Sequence, residues 1–228
     1  MKFAIICEGC SDVSVIRNVL KGALGTDKSD TIPLVPELEY DETDLSQMRE
    51  EQFCNWTIVK QHCLDRTKIN DFLENIEGER YIIIHLDTDM RAEIGYEVFD
   101  PEGVNTKEDI ELLCDHVKSK MQDWLGDNPP ENVLFAIAVQ EIDAWVLTIY
   151  DDKQKETGLL LNTKEKLFTL LNKTLAKKDR KVLSMNDDKL NQYAELSKAF
   201  RKEKQLKTYT KRNHSLLLFY ESLKSIEP

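Results

Sequence analysis

Two runs that are apolar at nearly every position, Phe3-Ala4-Ile5-Ile6-Cys7 and Tyr81-Ile82-Ile83-Ile84-His85-Leu86, each end abruptly on acidic residues. A strand without polar alternation has both faces buried, which implies a parallel sheet sandwiched between helices. In such sheets ligands settle at the carboxyl ends of the strands. There the first run meets Glu8-Gly9 and Asp12, and the second meets Asp87-Thr88-Asp89. Carboxylates gathered in one crevice repel one another unless a cation lies between them. Hard oxygen donors favour Mg²⁺ or Mn²⁺, and such ions most often serve phosphate chemistry.

The rest of the first 150 residues repeats the strand–helix alternation. Strands are predicted at 2–7, 56–59, 80–86 and 133–139, and helices at 12–24, 67–76, 107–125 and 141–150. Residues 25–53 read as a loop-like insertion, with Gly25, Pro33, Pro36 and the acidic run 37–44. Asn105 or Thr106 is placed to cap the long helix, and Asn128-Pro129-Pro130 breaks the chain after it. Beyond residue 150 only helical signals remain, near 163–176, 187–203 and 213–225. The expected fold is therefore α/β: a four-stranded, Rossmann-like parallel sheet flanked by helices over 1–150, with a helical extension over 151–228.

Charge follows the same division. Residues 1–150 hold 13 Lys and Arg against 31 Asp and Glu, a net of −18, whereas residues 151–212 hold 17 against 9, a net of +8. A polyanion can be held by the basic part while the acidic part holds metal. The densest basic cluster is Lys177, Lys178, Arg180 and Lys181. The plain alternative is that Lys-rich helices are ordinary solvated surfaces. No stretch approaches the roughly 20 apolar residues of a membrane span. The N-terminal apolar run is shorter than the h-region of a signal peptide, so a cytoplasmic location is expected. Five cysteines, at 7, 10, 54, 63 and 114, do not suggest a disulfide framework in that setting.

Glu8, Asp12, Asp87, Asp89 and Glu141 all fall just after strands or at the start of the next helix, and together they are the expected metal ligands. Asp12 or Glu141 alone is explained as well by helix capping, but Asp87-Thr88-Asp89 is not, since no strong helix signal begins there. Glu141 and Asp143 would point roughly 200° apart on a helix. Glu141 is taken as the one facing the crevice. Rival chemistry is limited. Cys7-Glu8-Gly9-Cys10 has redox spacing, and Cys7, Cys10, His62 and Cys63 are a thin zinc set. Cys7, Cys54 and Cys114 read best as small buried hydrophobes. There is no Gly-x-x-x-x-Gly-Lys loop and no Gly-x-Ser-x-Gly elbow.

Glu-Gly after the first strand, Ser-Asp at the following helix start and Asp-x-Asp after a later apolar strand resemble the Toprim fold of primases, topoisomerases, OLD-family nucleases and RloB-like proteins. Gln140-Glu141-Ile142-Asp143-Ala144-Trp145 is similar to the Glu-x-x-Trp segment of the RloB-like branch. The resemblance spans about residues 1–150. It implies that Glu8 is a general acid/base or metal ligand, that Asp87 and Asp89 bind metal, and that Asp12 and Glu141 complete a second metal position. It implies two Mg²⁺ or Mn²⁺ ions and a nuclease acting on DNA or RNA. It also implies a role as effector of bacterial anti-phage defence beside a separate ATPase. A homodimer is the assembly to test. OLD-type nucleases often have Glu where this chain has Asp12, and they use a lysine near the phosphate that no motif places here. Lys211, Arg212 and His214 are candidates by chemistry alone. The main alternative is a non-catalytic interaction subunit, whose acidic loop and helical tail are docking surfaces.

Overall fold

The structure, a computed structural model, describes residues 1–37, 55–74, 78–98, 103–174 and 189–226. Its sheet has four strands: β1 (Lys2–Ile6), β2 (Thr31–Val35), β3 (Arg80–Asp87) and β4 (Val133–Ala138). All pairings are parallel and the order is β2-β1-β3-β4. The chain thus steps from β1 to one side, then crosses back to β3 on the other. The connections after β1 and β3 diverge there, which opens a crevice at their carboxyl ends.

Helices cover both faces. On one side lie α2 (Trp56–Asp65), α3 (Thr67–Leu73) and α4 (Lys107–Leu125), packed on Ala4, Ile6, Ile82, Ile84 and Leu86. On the other, α1 (Cys10–Leu24) and α5 (Asp143–Tyr150) pack on Phe3, Ile5, Cys7, Ile83, Ala136 and Ala138. The same core takes in α6 (Thr163–Thr174), α7 (Lys189–Leu196), α8 (Glu203–Tyr209) and α9 (His214–Lys224). Leu167, Tyr193, Phe200 and Phe219 are buried beside Val15, Ile16 and Trp145. The C-terminal helices therefore complete the sheet's core. This is the α/β architecture expected: a parallel four-stranded sheet, helices on both faces and a helical C-terminal region.

The local signals that held are those with a clear physical cause. Val13, Ile16, Val19, Leu20 and Ala23 line one face of α1, and Gly25 ends it in the left-handed region at φ 72°. Thr106 caps α4, with its side chain accepting from the Asp109 amide while Asp109 reaches back to the Thr106 amide.

Three expectations require correction. The segment 56–59 is not a strand but the first turn of α2. Asn55 caps it by accepting from the amides of Thr57 and Ile58, and Trp56, Val59 and Cys63 form its buried face. A run of Trp, Thr, Ile and Val has strand propensity, but propensity yields to a cap and a helical buried stripe. The second strand is instead Thr31–Val35, inside the segment read as loop because of its prolines. Pro33 is tolerated because β2 is an edge strand. Finally, the helix expected over 187–203 is broken: α7 stops at Leu196, a 3-10 turn spans Lys198–Arg201, and α8 follows. The acidic run beyond Glu37, the basic cluster 177–181 and Cys54 lie outside the described residues. Among the described residues no helix is long and apolar enough to cross a membrane.

Gly22 shows how closely α1 approaches this 3-10 turn. A Cβ at Gly22 would lie 1.9 Å from the Phe200 carbonyl oxygen, a backbone atom that cannot swing away. Gly22→Ala is expected to destabilise the fold by about 1–3 kcal/mol or more. The check is the midpoint of chemical denaturation, and an unchanged midpoint would contradict this packing.

Candidate functional site

The β1–β3 crevice collects the acids that follow these strands. Glu8 leaves the end of β1 and its Oε1 accepts from the Asp87 amide at 2.8 Å, bridging the two central strands. Asp12 lies on the first turn of α1, only 3% exposed, with Ser11 Oγ donating to its Oδ1. Asp87 is the last residue of β3, and the buried Tyr96 hydroxyl donates to its carbonyl at 2.9 Å. The Asp-Thr-Asp turn is locked to the β4–α5 connection. Thr88 and Asp89 both donate their amides to the Gln140 carbonyl, and the Gln140 amide donates to Thr88 Oγ1. Gln140 sits at φ 69°, a left-handed conformation unusual for a residue with a side chain. Such strain persists only where its surroundings over-determine it, and here three hydrogen bonds do so.

Asp143, set aside in favour of Glu141 on helical geometry, belongs to the group. It is 4% exposed, and its charge bears on both Asp12 and Asp87. Glu141 instead bears on Asp89, and its Oε2 accepts from Thr163 at 3.3 Å. The 200° argument assumed that both residues sit in regular helix. In fact α5 begins at Asp143 and Glu141 lies before it, so the two acids bear on different members of the group. Tyr193 of α7 donates to Asp143 Oδ1 at 2.6 Å, tying the C-terminal helices to the site.

Burial dominates the electrostatics. It pushes Glu8 up to about 8, with repulsion from Asp12 and Asp89 adding to it and the Asp87 amide opposing it. Asp12 rises to about 7 and Asp143 to about 6, again mainly through burial. Asp87 is raised well above the ordinary carboxylate range by burial and then by the charges of Asp12, Glu8, Asp89 and Asp143. Asp89, less buried, is raised by burial and by Glu141. Lys164, exposed at the start of α6, counters the acids by lowering Asp12 and Asp143. No motif reveals Lys164, because it comes from a helix remote in sequence from the acids.

The acids are gathered but not clasped. Among the described residues, no three His, Cys, Asp or Glu side chains already stand at the spacing that holds a metal ion. The chemistry of the set nevertheless fits a hard cation. All the donors are carboxylates, Lys164 offsets their mutual repulsion only in part, and Asp87 Oδ1 is buried without a hydrogen-bond partner.

Other expected groups lie elsewhere. His214 opens α9, where its amide donates to Glu156 Oε1 and its Nε2 lies 3.5 Å from Glu111 Oε2. These contacts tie it to α4 and the 156–159 turn, not to the acids of the crevice. Cys7 is a core thiol whose Sγ faces the carbonyls of Gly9 and Val35. Burial pushes the Cys63 and Cys114 thiols up to about 12, which leaves them inert at neutral pH. No protein-family model matches this chain, and neither a curated protein nor a solved structure is significantly similar to it.

The raised values carry a pH signature. The unfolded chain releases these protons near pH 4, whereas the folded chain holds them until about 6 to 8. The folded state thus binds more protons across that window, and its stability falls as pH rises. In chelator, the melting temperature is expected to drop between about pH 5 and pH 8.5, and Asp12→Asn is expected to flatten the slope. A melting temperature that rises over this range would show that these groups do not hold their protons.

Proposed function

We propose that this chain is a Mg²⁺- or Mn²⁺-dependent nuclease hydrolysing phosphodiester bonds in DNA or RNA, in line with its resemblance to the Toprim fold of OLD-family and RloB-like proteins. The observation that carries the reading is the convergence of Glu8, Asp12, Asp87 and Asp89, with Asp143 and Glu141, on the crevice between β1 and β3. A site that concentrates buried carboxylates there is costly to a fold unless a cation is its resident.

Asp12, Asp143 and Asp87 would hold an ion from the buried side, with Glu141 and the exposed Asp89 toward the rim. Side-chain rotation is needed to bring them to ligand distance. When bound, Mg²⁺ or Mn²⁺ supplies Lewis acidity and a water of lowered pKa. Glu8, raised to about 8, is matched to exchanging a proton near neutral pH. Lys164 at the rim offers a positive charge to a phosphate arriving over an otherwise acidic surface. By the same resemblance, the chain acts as an anti-phage effector beside a separate ATPase.

The rival reading is a non-catalytic interaction subunit. One assay separates the two. Plasmid, single-stranded DNA and transfer RNA are incubated with Mn²⁺ and wild-type protein, Glu8→Gln or Asp87→Asn. Cleavage of at least one substrate is expected, with each variant slower by about 10²–10⁴-fold while its circular dichroism is unchanged. Wild-type protein that binds no Mn²⁺ and cuts nothing supports the interaction subunit.

A further inference from the structure

We propose that His85 is a positioning residue that sets the relative orientation of Asp12 and Asp87, and thereby the cation affinity of the site. The inference rests on the metal-site reading above.

His85 lies two residues before Asp87 on β3, so both side chains leave the same face of the sheet. That face is otherwise core, and an aliphatic residue like Ile83 would fill it at no polar cost. His85 is completely buried. Its Nδ1 lies 3.8 Å from Asp12 Oδ2 and its Nε2 lies 3.5 Å from Asp87 Oδ1. It is therefore wedged between acids from two separate elements, α1 and β3. Neither ring nitrogen has a hydrogen-bond partner, and Asp87 Oδ1 has none either. The two gaps exceed the usual N–H···O reach of about 3.2 Å by about 0.3 and 0.6 Å.

The ring has little freedom to look elsewhere. It stands edge-on to Trp145 at 6.0 Å between centroids. Trp145 is itself held, since its Nε1 donates to Ser215 Oγ at 2.9 Å and its ring stacks on Phe219. A neutral imidazole has one N–H and one lone pair. Its N–H edge attracts the carboxylate it faces and its lone-pair edge repels the other. His85 thus faces Asp12 Oδ2 and Asp87 Oδ1, while Ser11 Oγ donates to the other Asp12 oxygen, so the ring fixes how the two acids sit relative to each other. Groups that orient metal ligands from behind act in this way, and losing one typically weakens metal binding 10–100-fold.

The test uses Mn²⁺ alone as the probe, titrated calorimetrically into wild-type protein, His85→Phe and His85→Gln, with melting measured in chelator. His85→Phe is expected to melt at or above the wild-type temperature, because two unpartnered buried nitrogens are removed. It is nevertheless expected to bind Mn²⁺ about 10–100-fold more weakly. His85→Gln, which restores an amide donor, is expected to recover part of that loss. A merely space-filling histidine would leave Mn²⁺ affinity untouched, so equal affinity in a folded His85→Phe overturns the proposal. If that variant does not fold, His85→Leu is judged by the same criterion. Weakened Mn²⁺ binding in His85→Phe, with no nucleic acid cut by wild-type protein, sustains the positioning role while removing the nuclease reading. Wild-type protein that binds no Mn²⁺ overturns both.

Discussion

Like charges buried at one end of a parallel sheet are the constraint around which this molecule is built. Asp12 and Asp143 are almost wholly inaccessible, and the half-buried Asp87 lies beside them at the end of β3. A carboxylate taken out of water seeks donors or a proton. Donors reach some of them, among these the Asp87 amide for Glu8, Ser11 for Asp12 and Tyr193 for Asp143. The remainder of the imbalance appears as retained protons. Such an arrangement disfavours folding at neutral pH, so its survival points to a use.

The scaffold around those acids is correspondingly rigid. Both faces of the sheet are covered, so β1 and β3 have no freedom to shift relative to each other. The Thr88–Gln140 hydrogen bonds lock the two connections that carry Asp89 and Glu141. Tyr96 is part of an aromatic cluster with Trp56 and Trp124, and its hydroxyl reaches the Asp87 carbonyl, so one helical layer braces the site directly. On the opposite layer, Tyr193, Thr163 and Lys164 bring the C-terminal helices to the crevice. The basic second part of the chain thus meets the acidic first part at the site itself, as opposite charge favours.

Much of this was legible without coordinates. The continuous apolar runs revealed β1 and β3 because only a strand buried on both faces omits polar alternation. Thr106 and Gly25 marked helix ends because caps satisfy backbone groups locally. Glu8, Asp12, Asp87 and Asp89 stood out because they follow those strands. What stayed hidden has a common cause. Pro33 disguised β2 because strand position, edge or centre, is not written in the strand itself. The Trp56–Val59 run concealed a helix start because its burial is set by α4 and the 87–98 loop. Asp143 was misjudged because the exact start of α5 depends on the Gln140 turn.

The sequence by itself determined which segments must be buried and where acidic residues must emerge, because hydrophobic patterning and capping act over a few neighbouring residues. Only the tertiary structure decided that His85, Tyr193 and Lys164 share those acids' surroundings. These three residues come from one strand and two helices up to about a hundred positions apart, and nothing in local chemistry orders such elements in space. Packing on both faces of the sheet does, and it alone turns scattered carboxylates into a single buried group.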